Sequence, residues 1–398
     1  MKPRDGLAIH LTYCLNIHPG ETWQENFASI KQKALKVRQK VSPNKPFGLG
    51  LRLSNIAAQE LVKPERRKEF QDFLNENDLY VFTINGFPYG KFHSTTVKEN
   101  VYKPDWSTTE RRDYTITLAN ILTELLDENL YGSISTVPLS YKGWVTSEKQ
   151  LDQIIYMLAD AAVHLDKIFN QTGKDICIGL EPEPDCILEN TDQTIDFFSG
   201  SLLEAGSRHL QQNHGLDYDK AKQILTRHIG VCFDTAHLAV QFEDLNESLT
   251  KLNNANIRIS KVQLSSALRL RPCEEAFRRL KDFCDTVYLH QVKIKTASGA
   301  ILSYSDLGEA LEIFDKKNSA GTQWRIHFHV PLFFVKDGPL QSTSNCLTPE
   351  FFSQLTNRAV QHLEIETYTF NVLPQFMQEK GLFHALGEEY KWVLARLK

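Results

Sequence analysis

The sequence lacks the long apolar segment that a membrane-spanning helix requires. No run of about 18 apolar residues occurs among the 398 residues, and the mean hydropathy is −0.34. The first residues also lack a signal peptide, because His10 and Asn16 interrupt the first apolar stretch. We therefore expect a cytoplasmic protein that does not insert directly into a membrane.

The cysteines lack the spacing of a disulfide framework or a zinc knuckle. The seven cysteines are an odd number, lie far apart and form no C-x-x-C pair. Several lie in apolar runs, where a free thiol packs as a small hydrophobic side chain. We predict that the cysteines are reduced and structural.

An excess of charge of either sign is also missing. Lysine and arginine number 45, aspartate and glutamate number 49, and the formal net charge is −4. A dedicated nucleic-acid-binding protein, or one that binds anionic membranes, carries a strongly basic surface. We therefore expect no nucleic-acid partner and predict a small-molecule metabolite as the ligand. The sequence leaves the oligomeric state open.

What the sequence does contain is an alternation of short apolar runs and longer amphipathic stretches. The amphipathic stretches, such as residues 148–170, repeat apolar residues at spacings of three and four, which predicts helices. The apolar runs show little strict alternation, which is typical of strands covered on both faces. These runs span residues 7–13, 47–53, 79–84, 132–138, 176–180, 229–233, 259–264, 287–294, 326–330 and 363–367.

A strand followed by a helix, repeated about eight times, predicts parallel strands joined by right-handed crossovers. The glycine fingerprints of dinucleotide and phosphate loops are absent. The length and the number of repeats favour a single (β/α)8 TIM-barrel domain over residues 1–398, with a doubly wound sheet as the alternative. Residues 271–335 exceed what one βα unit needs and predict an inserted segment with two extra strands.

Polar side chains cluster where the apolar runs end, which in a barrel is the face that carries active sites. The fifth run ends in L-E-P-E-P, and Glu181 and Glu183 share a face because they are two residues apart. The sixth run ends at Asp234, with His237 one turn into the next helix. A carboxylate and an imidazole so placed suit a divalent cation or a proton relay. The other interpretation of Asp234 is a cap of that helix.

Two further pairs of ionisable residues lie in the later runs. Glu364 and Glu366 share a strand face in the last run, and His327 and His329 share a face in the run before it. Unpaired carboxylates inside a barrel are costly, so a cation or another partner is expected beside them. Two imidazoles at i and i+2 of a strand are a common metal-ligand geometry. Ordinary hydrogen-bonded histidines are the alternative.

Other polar residues near strand ends give weaker signals. Together they predict a mouth lined with donors for a hydroxylated or anionic small molecule. They are Asn16, His18, Arg52, Asn85, Gln263, Ser265, Ser266, Arg269 and Arg271, with His290 of the inserted segment.

These residues resemble the xylose isomerase-like barrels of the sugar phosphate isomerase/epimerase superfamily. The resemblance rests on Glu181 in L-E-P-E-P, on Asp234-Thr235-Ala236-His237, which matches the D-T-x-H element of the family, and on Glu366 in the last strand. It extends over nearly the whole chain in the order of strands and helices. Endonuclease IV-type repair enzymes share this barrel, but they need more histidine ligands and a basic surface.

Within that superfamily the chain is similar to the EboE-type metabolite traffic proteins. The similarity is carried by T-Y-C-L-N-I-H-P-G-E at residues 12–21, W-R-I-H-F-H-V-P-L-F at residues 324–333 and L-E-I-E-T-Y-T at residues 363–369. Such proteins are encoded with a small gene cluster thought to move or process the precursor of a secondary metabolite.

The resemblance to the epimerases of the superfamily implies a metal site. Their divalent metal is held by a Glu on the fifth strand, an Asp on the sixth, a His on the seventh and a Glu on the eighth. The two glutamates also act as the acid/base pair. Carried over to this chain, the resemblance implies Glu181, Asp234 and Glu366 as ligands of Mn, Zn or Mg. It also implies Glu181 and Glu366 as the catalytic residues.

The seventh run departs from this pattern because it ends in Gln263 instead of a histidine. We predict that His329, or else His327, completes the metal site. The leading hypothesis is a metal-dependent isomerase or epimerase acting on a small sugar-like or sugar-phosphate-like metabolite. The alternative, favoured by Gln263, is a non-catalytic metabolite-binding or traffic protein on a degenerate barrel. The predicted substrate-binding residues are Arg52, Glu183, His237, Gln263, His290 and His327.

Overall fold

The computed structural model describes residues 1–4, 6–91, 98–284, 287–313, 322–357 and 360–397. The strands are β1 (His10–Tyr13), β2 (Phe47–Arg52), β3 (Leu79–Asn85), β4 (Gly132–Thr136), β5 (Ile176–Leu180), β6 (Ile229–Asp234), β7 (Ile259–Leu264), β8 (Ser266–Leu270), β9 (Val292–Lys295), β10 (Ile301–Tyr304), β11 (Gln323–Val330), β12 (Lys336–Asp337), β13 (Leu340–Ser342) and β14 (His362–Ile365).

The helices of the described residues lie between these strands along the chain, before β14 and after it. They are α1 (Trp23–Ser29), α2 (Leu35–Val41), α3 (Asn55–Leu61), α4 (Pro64–Glu76), α5 (Thr109–Leu125), α6 (Glu148–Thr172), α7 (Thr191–Asp196), α8 (Leu203–His214), α9 (Tyr218–His228), α10 (Thr235–Val240), α11 (Leu245–Asn254), α12 (Glu274–Leu280), α13 (Leu307–Ile313), α14 (Pro349–Asn357), α15 (Gln375–Gln378) and α16 (Leu382–Leu394). Among these, none is both long and apolar enough to cross a membrane.

Eight parallel strands form the predicted TIM barrel, with the order β1-β14-β7-β6-β5-β4-β3-β2. A parallel bridge between Cys14 and Gly50 joins the end of β1 to β2 and closes the barrel. Because all these strands run in one direction, their carboxyl ends meet at one mouth. The side chains that follow β5, β6 and β14 are therefore brought to the same place.

Local sequence explains where the longest helix begins and ends. The Ser147 hydroxyl accepts a hydrogen bond from the Gln150 backbone N–H and caps the start of α6. Gly173 ends the helix with a φ of 75°, a left-handed conformation that glycine adopts without strain. The apolar face between them, which includes Leu158 and Leu165, is buried in the core.

The inserted segment forms a separate antiparallel sheet with the order β10-β9-β11-β8-β13-β12. The two predicted extra strands are confirmed as the hairpin of β9 and β10. The sheet spans residues 266–342 and so extends a few residues beyond the predicted segment of about 271–335 at each end. It begins at β8, one residue after β7 ends, so it grows directly from the mouth of the barrel. Residues 285–286 and 314–321 of the predicted segment lie outside the described residues.

The barrel interior holds a buried ion pair below the mouth. Lys261 Nζ on β7 lies 2.6 Å from Glu364 Oε2 on β14, and both side chains are 0% exposed. Gly50 on β2 makes room for this carboxylate, since a Cβ at that position would lie 2.3 Å from Glu364 Oε1. The chain itself thus supplies the counter-charge for this carboxylate.

Candidate active site

Three carboxylates converge at the carboxyl-terminal mouth of the barrel. Glu181 directly follows β5, Asp234 ends β6, and Glu366 directly follows β14. Ligand atoms of Glu181, Asp234 and His237 all lie within 4.8 Å of one another, and so do those of Asp234, His329 and Glu366. All five side chains are buried. The four residues predicted as metal ligands are therefore neighbours in the structure.

Asp234 both caps a helix and faces the cluster. Its Oδ1 accepts hydrogen bonds from the backbone N–H groups of Ala236 at 2.8 Å and His237 at 3.0 Å, which cap α10. The Ser265 hydroxyl donates to the same oxygen at 2.7 Å. The two interpretations of Asp234 are thus compatible, because the cap holds Oδ1 while Oδ2 lies beside Gln263.

Gln263 occupies the end of β7, where the resembling epimerases have a histidine. With its amide nitrogen facing the carboxylates, it donates to Glu181 Oε1 at 2.8 Å and to Asp234 Oδ2 at 3.2 Å. The side chain is fully buried. Gln263 therefore holds two of the carboxylates in place, and its predicted contact with substrate stays a prediction.

The inserted sheet supplies the imidazole that Gln263 does not. His329 on β11 places Nδ1 2.7 Å from Glu366 Oε2 and 2.9 Å from the Glu366 carbonyl oxygen. His327 lies on the same face, with the two ring centroids 5.2 Å apart. Its Nδ1 is 2.7 Å from Gln291 Oε1 and 3.7 Å from Glu183 Oε1. Of the two predicted candidates, His329 is thus the one beside a carboxylate of the cluster.

His237 closes the cluster from the side of α10. Its Nδ1 lies 3.1 Å from the Pro182 carbonyl oxygen, and its Nε2 lies 3.9 Å from Asp234 Oδ1. Burial lowers the pKa of His237. The ring is therefore a neutral hydrogen-bonding group at the edge of the carboxylates.

The side chains at the mouth fit a divalent cation. The Nε2 atoms of His327 and His329 and the Oε2 atom of Glu183 are buried, with no hydrogen-bond partner among the described residues. Unpartnered buried polar atoms are costly, and a bound ion removes that cost. Carboxylate oxygens combined with imidazole nitrogens are ligands that zinc and manganese accept.

The electrostatics of the cluster reflect an excess of negative charge. Burial raises the pKa of Glu181 well above its ordinary value, and the charges of Asp234 and Glu366 raise it further. Burial alone would lower the pKa of His329, but the charges of Glu366 and Asp234 outweigh it and raise that pKa to about 9. In the metal-free protein, protons on Glu181 and His329 therefore compensate for the missing positive charge.

A cavity that is open at its mouth lies over the carboxylates, and its empty space, counted together with the open solvent at the mouth, is about 530 Å³. The Tyr102 hydroxyl donates to Glu183 Oε1 at 2.8 Å, and the Asn16 amide donates to Glu366 Oε1 at 2.6 Å. The lining residues are Asn16, Asn85, Phe87, Pro88, Lys98, Val101, Tyr102, Glu181, Glu183, His237, Tyr288, Leu289, His327, Glu366 and Tyr368.

Three predicted substrate-binding residues lie outside this lining, namely Gln263, described above, Arg52 and His290. The Arg52 guanidinium donates to the carbonyl oxygens of Gly20 at 2.9 Å and Gly90 at 2.5 Å, so it ties two loops together. The His290 ring stacks on Phe328 with centroids 4.3 Å apart, on the opposite face of β11 from His327. Neither Arg52 nor His290 lines the cavity, and their predicted contact with substrate stays a prediction.

Sequence reasoning missed Tyr102 and Tyr368 and gave Asn16 only a weak signal. Tyr102 lies on the long connection between β3 and α5, residues 86–108, where no periodicity marks individual side chains. The length of that connection is itself a signal, because long loops of compact barrels commonly carry binding residues.

The chain is similar in fold to several solved structures. The IolI protein with a bound zinc atom aligns with a TM-score of 0.50 and 9% identity, over 98% of each chain. The probable 3-DHS dehydratase AsbF of petrobactin synthesis from Bacillus anthracis aligns with a TM-score of 0.47 and 12% identity, over 97% of this chain and 98% of that chain.

A xylose isomerase domain protein from Salmonella typhimurium aligns with a TM-score of 0.43 and 11% identity, over 98% of this chain and 97% of that chain. No protein-family model matches the sequence, and no curated protein matches it. At 9% identity the alignment with IolI shows a common fold, in agreement with the TIM barrel that the strand order gives.

Proposed function

We propose that this protein is a divalent-metal-dependent isomerase or epimerase that acts on a small sugar-like metabolite. The observation that carries the proposal is the meeting of Glu181, Asp234, Glu366 and His329 beneath an open cavity. The zinc atom bound by IolI, a protein of the same fold, supports a metal at this mouth.

The proposed chemistry moves one proton of a hydroxylated carbonyl compound. A bound divalent cation would supply Lewis acidity to the carbonyl and hydroxyl oxygens of the substrate. The Glu366 carboxylate, held by Asn16, accepts the proton from the carbon between these oxygens as the C–H electron pair moves toward the carbonyl. Glu181, which also lines the cavity, would return a proton taken up from solvent to the other face of that carbon or to its neighbour.

The charges of the cavity favour an uncharged substrate over a phosphorylated one. Glu181, Glu183 and Glu366 line the cavity. Within the described part of the lining, the cationic side chain is Lys98, and its Nζ lies 2.5 Å from Asp306 Oδ2. We therefore expect hydroxyl groups, rather than a phosphate, to contact Glu183 and His327.

The resemblance to EboE-type proteins leads to a second candidate function, binding and transfer of a metabolite without catalysis. Gln263 favours this candidate because it replaces the histidine of the resembling epimerases. The position of His329 favours catalysis, because it returns an imidazole to the cluster. Under this second candidate function, the protein would act in metabolite traffic. A cytoplasmic location is proposed for either function.

A metal-dependent proton-exchange assay tests the proposal. Chelator-treated protein is reloaded with Mn²⁺, Zn²⁺ or Mg²⁺ and incubated in D₂O with a panel of ketoses and aldoses, and NMR detects deuterium at the carbon beside the carbonyl. We expect exchange to require metal and to fall at least about a hundredfold in Glu366→Gln, as loss of a general base predicts. Glu388→Gln, a surface carboxylate bonded to Lys391, is the matched control.

Two outcomes distinguish the candidates. Stoichiometric metal and sugar binding without deuterium exchange would support the carrier function. Metal content that is unchanged by Asp234→Asn and Glu366→Gln would contradict both the metal site and the isomerase.

A further inference from the structure

A second group of metal-ligating side chains lies far from the mouth, between two outer helices. Asp160 is on α6, and His209 and His214 are on the second half of α8. The Nε2 atoms of both histidines lie 2.9 Å from the same oxygen, Asp160 Oδ1. One ligand atom from each of the three residues lies within 4.8 Å of the others.

Neighbouring side chains hold the three ligands in this arrangement. The His209 ring stacks on Tyr156 with centroids 4.3 Å apart and planes 11° apart. Asn213 Nδ2 lies 3.1 Å from His209 Nδ1. Arg112 Nη1 lies 3.4 Å from Asp160 Oδ2, so that oxygen is engaged and Oδ1 is the one left to the histidines. Such outer contacts orient ligands in known metal sites.

The exposure of the group allows an ion to enter and keep a water ligand. The side chains of Asp160, His209 and His214 are 21%, 13% and 29% exposed. Three protein ligands leave the fourth tetrahedral position of a zinc ion open, and partial exposure lets water occupy it.

We propose that Asp160, His209 and His214 form a second zinc site, which joins α6 to α8. Bonds of about 2.0–2.2 Å at tetrahedral angles separate ligand atoms by about 3.3 Å. The observed 2.9 Å separations are a few tenths of an ångström shorter, so small side-chain rotations admit the ion. Two imidazoles with one carboxylate and water form a ligand set that zinc commonly takes.

The proton balance of zinc binding is simple. In the metal-free protein the Nε2–H of each ring donates to Asp160 Oδ1. With zinc on Nε2, the remaining hydrogen of each neutral ring lies on Nδ1. For His209, a 180° rotation of the Asn213 carboxamide brings its oxygen to face Nδ1, and that oxygen then accepts the hydrogen.

Zinc titration with a matched set of full-length variants tests this site separately from the barrel mouth. The set comprises the wild type, the mouth variant Asp234→Asn/Glu366→Gln, the double variant His209→Ala/His214→Ala, and the control His164→Ala. His164 is an α6 histidine bonded to Asn120, outside the group. Chelator-treated samples are titrated with Zn²⁺ by calorimetry, and Co²⁺ spectra check for tetrahedral coordination.

We expect the double variant to bind one zinc fewer than the wild type and His164→Ala to bind the same number. The mouth variant should retain one zinc, so failure of the proposed function and failure of this site give different results. Asn213→Ala should lower the affinity of this site for zinc about tenfold, as loss of an orienting contact does. If the double variant folds poorly, His214→Gln, which keeps a hydrogen-bond donor, gives the same comparison. A mouth variant that binds no zinc would overturn the proposal.

Discussion

Two groups of buried carboxylates in one barrel differ in what neutralises them. Glu364 lies inside the barrel, 2.6 Å from Lys261. Glu181, Asp234 and Glu366 lie at the mouth, and among the described residues their ion-pair partners are histidines alone. A buried charge whose partner is built into the chain belongs to the fold. A buried group that lacks one is poised for a ligand, and this is the difference between core and site.

The largest expected effect comes from breaking the internal pair. Lys261→Met leaves the Glu364 carboxylate buried and unpaired, so the free energy of unfolding should fall by about 3–5 kcal/mol. Urea denaturation followed by circular dichroism measures the change. The double variant Lys261→Met/Glu364→Gln should recover most of the loss, and equal stability of the two variants would contradict the pairing argument.

A third kind of buried carboxylate sharpens the comparison, because within the described part of the chain Glu389 accepts hydrogen bonds from neutral donors. It accepts hydrogen bonds from the Thr367 hydroxyl at 2.7 Å and the Leu332 N–H at 3.1 Å. Burial raises its pKa from 4.5 to about 7. The unfolded chain loses this proton at lower pH than the folded protein does, so stability should decrease as the pH rises from 4.5 to 7.

The size of this pH effect is up to about 3 kcal/mol for one carboxyl group. Glu389→Gln keeps an acceptor for both donors and should flatten the pH dependence of urea unfolding over that interval. An unchanged pH profile in this variant would assign the slope to other groups.

Bound metal should stabilise the folded protein through the carboxylates at the mouth and not through the Lys261–Glu364 pair. Zn²⁺ or Mn²⁺ at about 100 times the dissociation constant should raise the free energy of unfolding by about 2.7 kcal/mol. Asp234→Asn should remove this gain, whereas Lys261→Met/Glu364→Gln should keep it. Thermal unfolding with and without metal, in the His209→Ala/His214→Ala background, isolates the mouth.

The smallest expected effect is that of Glu181→Gln on the metal-free protein. The amide replaces a carboxyl group that is already protonated in the metal-free protein, and it still accepts the hydrogen bond of Gln263. The free energy of unfolding should change by less than about 1 kcal/mol, while metal affinity is lost. A loss as large as that of Lys261→Met would erase the distinction between the two groups.

The barrel and much of the mouth could be predicted from the sequence because both follow from strand ends. Glu181, Asp234 and Glu366 each stand where an apolar run stops, and parallel strands bring such positions together. The pairing of His327 and His329 followed from the period of two along a strand.

The remaining features depend on side-chain direction and long-range pairing, which strand order does not give. Arg52 stands at a strand end like Asp234, yet its guanidinium bonds the loop carbonyls of Gly20 and Gly90. The inserted sheet begins at Ser266, where no turn residue marks a boundary. Tyr102 reaches Glu183 from a loop whose path is set by tertiary contacts.

The barrel and the inserted sheet share no strand pairing among the described residues, so the short link after β7, the His329–Glu366 contacts and packed side chains set the distance between them. Part of that packing is the small apolar cluster of Ala236, Val240 and Ala267 between α10 and β8. Metal–ligand bonds tolerate changes of only about 0.2 Å. Metal affinity should therefore report on the packing of this interface. We expect Ala267→Val to shift His329 relative to the carboxylates and to weaken metal binding, although Ala267 is not among the proposed ligands.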